Sequence, residues 1–171
     1  MIQFQNVVKK LENNATVFEA LFHDVSEIDC RWKPAPEKWS LLEVLNHLLD
    51  EEMYDFRQRI EFALTKPDRE WIRIQPTKWV VEKAYIEKDF RESLDRFLLE
   101  RKKSIQWLRE HENEDWTALD NYPHGNSFTA ESLLLNWLAH DYLHIRQINA
   151  LHREFLAQEL ANTPLDYAGT W

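Results

Sequence analysis

Only two glycines occur in 171 residues, with six prolines. Both residues punctuate turns, so their scarcity favours long uninterrupted elements over a many-stranded sheet. The apolar residues recur at helical spacing. Phe4, Val7, Val8, Leu11, Ala15, Phe18 and Phe22 predict a helix over about 4–23. A second is predicted over 40–65. Its start is marked by Ser40 and Glu43, an S-x-x-E capping box, and its stripe is Leu41, Leu45, Leu48, Leu49, Phe56 and Ile60. A third, over 89–110, carries Phe90, Leu94, Phe97, Leu98, Ile105 and Leu108, with Asp89 as its N-cap and Glu92 paired to it. The fourth, over 129–155, carries Leu133, Trp137, Ile148 and Leu151. Residues 66–88 hold two short apolar runs and Pro76, too long a stretch for a tight hairpin, and 163–171 read as an irregular tail. The expectation is one all-α domain over 1–171, a four-helix bundle with a long connection between helices two and three.

Charge narrows the partners. The net charge is -9, which repels both a phosphate backbone and an anionic membrane surface. The most basic run, Arg101-Lys102-Lys103, reads as the solvated face of a helix. The single cysteine, Cys30, excludes an internal disulfide and a Cys-rich zinc site, and reads as a small buried hydrophobe. The first residues lack the apolar region of a signal peptide, and no apolar run approaches the roughly 20 residues that span a bilayer. The expected protein is cytoplasmic and binds neither nucleic acid nor membrane.

The chemistry concentrates in helix four. His140 and His144 stand at i and i+4, one turn apart on one face, a spacing that lets two imidazoles meet one metal ion. They continue the apolar stripe of Leu133, Trp137, Ile148 and Leu151, so they point inward, where an unpaired polar ring is costly. Helix two supplies His47 on a line with Val44, Glu51 and Tyr54. Three histidines leave an open coordination position, as catalytic zinc sites do, and Glu51 is the candidate general base or a further ligand. The bland reading stands beside this one: i, i+4 histidines also arise by chance or satisfy each other within a core. Two other metal patterns fail. Asp141 replaces the glutamate of H-E-x-x-H, and no histidine has glutamate three residues before it, as a ferritin-like di-iron site requires.

Other residues read as structural first. Trp32 and Trp39 flank the start of helix two and should pack at the mouth of the His47 site, and Trp137 reads as core. Asp141 and Tyr142 lie off the histidine face, where Asp141 pairs with a cation or meets solvent. His23, His111, His124 and His152 read as surface.

The segment Trp32-Lys33-Pro34-Ala35-Pro36-Glu37-Lys38-Trp39-Ser40, leading into the helix with His47, resembles the first hallmark of the DinB-like (YfiT-like) superfamily. The stretch 124–129, followed by Leu138-Ala139-His140-Asp141-Tyr142-Leu143-His144-Ile145-Arg146-Gln147-Ile148, is similar to its second. The resemblance implies a four-helix bundle, often dimeric, with His47, His140 and His144 holding a divalent ion, zinc or nickel first. It also implies a metal-dependent enzyme acting on a small molecule. Thiol S-transfer with a low-molecular-weight thiol cosubstrate comes first, and hydrolysis is the alternative. A non-catalytic metal-binding or interaction bundle is the rival reading.

Overall fold

The computed structural model describes residues 4–161 and 164–169. The helices are α1 (Phe4–Phe22), α2 (Leu41–Tyr54), α3 (Phe56–Thr65), α4 (Pro76–Glu82), α5 (Phe90–Glu110) and α6 (Ala130–Glu159). Among the described residues the only strand-like feature is one isolated bridge, between Leu119 and Thr129. No described helix is long and apolar enough to cross a membrane. Of the tail, residues 164–169 contain a single 3-10 turn at Asp166–Ala168, and Thr163, Thr170 and Trp171 lie outside the described residues.

The bundle consists of α1, α5, α6 and the α2–α3 pair. α1 packs on α5 and α6, α2 packs on α5, and α3 packs on α6, so α1 lies diagonally across from α2–α3. The N-termini follow the sequence signals. Ser40 and Glu43 form the reciprocal capping box of α2, Asp89 accepts from the Glu92 N–H, and Thr129 caps α6 through the Ser132 N–H.

The helix expected over 40–65 is in fact two. Asp55 breaks it, with φ -117° and ψ -90°. The break has a side-chain cause. The Gln58 amide donates to the Tyr54 carbonyl at 2.8 Å, entering the backbone ladder, and to Ile72 O at 3.0 Å in the following connection. Lys66 ends α3 at φ 45°, and Pro67 follows, where a helix cannot continue. The connection to α5 carries the short α4 and a 3-10 turn at Tyr85–Glu87.

The apolar core falls into two clusters. One gathers Phe18, Phe22, Leu45, Leu48, Phe97 and Ile148; the other gathers Leu11, Ile60, Ile105, Leu134 and Trp137. Between them, on α1, α2, α5 and α6, lies a polar residue each: Asn14, Glu52, Arg101 and Asp141, all buried. The expected solvated face at 101–103 is therefore corrected at its first residue. Lys102 and Lys103 are exposed, but Arg101 is 1% exposed and Asp141 0%. Residue type does not separate Arg101 from its lysine neighbours. Its inward direction follows from its place, four residues after Phe97 and four before Ile105, on the buried stripe.

Candidate metal centre

The α2 capping box fixes where His47 falls. Ser40 Oγ accepts from the Glu43 N–H at 3.2 Å, Glu43 Oε2 accepts from the Ser40 N–H at 2.8 Å, and Lys33 Nζ pairs with Glu43 Oε1 at 2.7 Å. One turn after Glu43, His47 faces inward at 5% exposure, its ring 5.0 Å from that of Trp39. From α6, His140 and His144 approach it. The ring centroids stand 5.4 Å (His47–His140), 4.9 Å (His47–His144) and 4.3 Å (His140–His144) apart. One ligand nitrogen from each lies within 4.8 Å of the others.

This donor set fits a divalent metal ion. A metal needs neutral imidazoles, and burial supplies them. Burial, then the neighbouring His144, pulls the His47 pKa from 6.5 to about 3, and burial with both partner histidines pulls His140 to about 2. His144 is lowered too, by burial, partly offset by its bond to Gln147. That bond also orients the ring. His144 Nδ1 lies 2.8 Å from Gln147 Oε1, which can only accept, so the proton sits on Nδ1 and the Nε2 lone pair is free toward His140 Nε2, 3.1 Å away.

Glu51 stands beside this group, its Oε1 3.7 Å from His47 Nδ1. Its carboxyl is not among the clustered ligand atoms. Burial, reinforced by the neighbouring Asp55, raises its pKa from 4.5 to about 9, and burial raises Asp55 as well. Asp55 owes its position to the helix break, which no periodicity signals.

Asp55, Phe56, Asn136, His140 and Leu143 line a cavity of about 360 Å³ that opens beside the histidines. Phe128 also borders it, held by the 120–128 loop: Asp120 Oδ1 accepts from the Phe128 N–H at 2.9 Å, and Arg59 Nε donates to Asp120 Oδ2 at 2.6 Å. Of the two tryptophans expected at the mouth, Trp39 packs against His47 but is not among the residues that line this cavity. Trp32 instead packs edge-on against Phe155, centroids 5.4 Å apart, and bonds Gln158. Asp141 is buried against Arg101 on the side away from the cavity. His124 and His23 are exposed, whereas His111 and His152 are half-buried, the latter bonded to Leu21 O at 2.9 Å. Sequence reasoning missed Asp55, Asn136 and Gln147. Gln147 alone had a signal, its place three residues after His144 on the same face.

The site's acid response follows from these shifts. In the metal-free protein the histidine pKa values lie below their unfolded 6.5, so the stability they contribute is fully present above that value and is lost as pH falls through about 3. Glu51 has the opposite sign: its contribution is fully present below 4.5 and is lost as pH rises through about 9. Below pH 4.5 Glu51 is protonated in both states, and within this group the histidine loss is opposed only by Asp55, whose contribution is complete below 3.8. Calorimetry of the metal-free protein should show Tm falling from pH 4.5 toward 3, and falling less steeply in His140→Leu. Equal slopes would remove the histidines as the cause.

Fold and geometry together describe a four-helix bundle with a three-histidine centre whose His140 lines a side cavity. The sequence pattern of the DinB superfamily matches residues 10–148, most of the chain, and the protein belongs to that superfamily. Among solved structures the fold is similar to YfiT from Bacillus subtilis, described as a probable metal-dependent hydrolase with an unusual four-helix bundle topology. The TM-score is 0.77 at 19% identity, over 90% of this chain and 87% of that one. No curated protein matches the sequence.

Proposed function

We propose that this protein is a metal-dependent enzyme acting on a small electrophile, with hydrolysis as its first reaction class. The carrying observation is the convergence of three neutral imidazoles beside a largely apolar cavity. His47, His140 and His144 would hold a divalent ion; imidazole nitrogen suits zinc, nickel, copper and iron alike, and the family resemblance puts zinc or nickel first. Such an ion supplies Lewis acidity, which acidifies a water or thiol in the site.

The chain's own residues do the rest. Gln147 holds the His144 tautomer that turns a lone pair inward. Phe56, Phe128 and Leu143 bound the space for a small apolar substrate. Glu51 takes the proton of the attacking nucleophile, and Asp55, beside it, holds the carboxyl in place to receive it. In the metal-free state Glu51 carries its own proton at neutral pH, and a nearby cation favours the ionised form that a base needs.

The description of YfiT as a probable metal-dependent hydrolase supports water as the nucleophile. Thiol transfer is the second reading, because the cavity admits a small thiol in the same place. A panel of esters, amides and alkylating electrophiles, each run with and without cysteine as the thiol, separates the two. Glu51→Ala is expected to keep its metal and lose about 10²–10⁴-fold in turnover. Loss of metal from that variant would make Glu51 a ligand, and undiminished turnover would deny it the role of base. A metal that exchanges no ligand with added azide would favour a structural role over an enzyme.

A further inference from the structure

The buried polar layer has a geometry that a merely stabilising layer does not need. Arg101, from α5, bonds α1, α2 and α6. Its Nε donates to Glu52 Oε2 on α2 at 2.9 Å. Its Nη1 and Nη2 donate to Asp141 Oδ2 and Oδ1 on α6, each at 2.7 Å. Nη1 also reaches the Leu11 carbonyl on α1 at 3.2 Å, and Asn14, also on α1, donates to Asp141 Oδ2 at 3.0 Å.

The two carboxylates are close in sequence to the histidines. Glu52 follows His47 by five residues, and Asp141 directly follows His140 and precedes His144 by three. α2 and α6 therefore each present imidazole to the centre and carboxylate to one shared guanidinium. That group is planar and rigid, and its paired bonds to a carboxylate fix angle as well as distance. An apolar contact between two helices tolerates sliding, and each residue of slip moves a side chain about 1.5 Å along the axis. A three-ligand centre built from two helices tolerates only about 0.5 Å.

We propose that Arg101 is a positioning residue for the metal centre, setting the register of α2 against α6 through Glu52 and Asp141. The inference rests on the reading of the three histidines as metal ligands. It assigns Arg101 no contact with substrate or ion.

The test is titration of metal-free protein with cobalt(II), followed by the visible d–d bands, which report ligand geometry independently of activity. Wild type is compared with Glu52→Met, Glu52→Gln and Arg101→Lys, each first checked for helical circular dichroism. Glu52→Met removes the α2 anchor while leaving Arg101 paired with Asp141. It should fold, bind cobalt at least about tenfold more weakly, and show displaced bands, the scale of loss typical of groups that orient metal ligands. Glu52→Gln keeps an oxygen for Nε and should stay within about threefold of wild type, well short of that loss. Arg101→Lys loses the fork and should weaken binding like Glu52→Met, which keeps the question decidable if the methionine variant fails to fold. Folded Glu52→Met or Arg101→Lys protein with wild-type affinity and bands would overturn the proposal alone. Wild type that takes up no cobalt would instead reject the metal reading, and the proposal with it.

Discussion

His144→Ala is expected to abolish stoichiometric metal binding. Removing a group that merely orients a ligand weakens binding by about 10–100-fold, and removing the ligand itself should exceed that. The substitution deletes the nitrogen nearest both partners, 3.1 Å from His140 Nε2, and with it the Gln147 bond that aims it. What remains is one imidazole on each of two helices, a poor chelate for any divalent ion. Mass spectrometry of tag-free protein, dialysed after loading with zinc or nickel, should find about one equivalent in wild type and none in the variant. Full occupancy in His144→Ala would dismantle the three-histidine centre. Wild type without metal after loading would leave the imidazoles as a buried polar cluster of the core.

The second large effect concerns stability. Arg101→Met should lower the free energy of unfolding by about 3–5 kcal/mol, because it leaves the Asp141 carboxylate fully buried with only the Asn14 amide as donor, facing Glu52. Burial already holds the Glu52 pKa up, with Arg101 opposing it, and burial depresses the Arg101 pKa less than its two carboxylates raise it. Urea denaturation with an unchanged m-value would measure the loss. Replacing Arg101, Glu52 and Asp141 together by apolar residues of similar size should recover most of it, since an apolar layer is often as stable as a buried ionic one. A single variant losing less than about 1 kcal/mol would mean that water reaches the layer and compensates the charges. The triple variant also separates two properties: it should regain stability and still bind metal weakly.

Much of this was legible in the sequence. The caps at Ser40 and Asp89 are local chemistry, and α2 and α5 start where they predict. His140 and His144 lie on an apolar stripe, so their inward direction is a matter of periodicity. His47 lies on a second stripe, and the structure places it against the pair. The break at Asp55 was not legible, because its cause is the Gln58 side chain reaching Ile72 O, a partner fourteen residues away. That break carries Asp55 to the cavity, so the site's second carboxyl was hidden for the same reason. Arg101 was misread because charge suggested solvent, while the partners that bury it, Glu52 and Asp141, come from helices 49 and 40 residues distant. Position on the stripe was the better guide there than residue type.

The polar layer that splits the apolar core has a bearing on how this chain can change. Close-packed side chains transmit a volume change to whatever they touch. Here the Phe18–Phe97 half and the Ile60–Trp137 half are separated by hydrogen-bonded groups of fixed length. A methyl group gained or lost in one half is expected to be felt first within that half. With Arg101 holding α2 and α6 in register as proposed, a change of packing confined to one half would leave the histidines where they are.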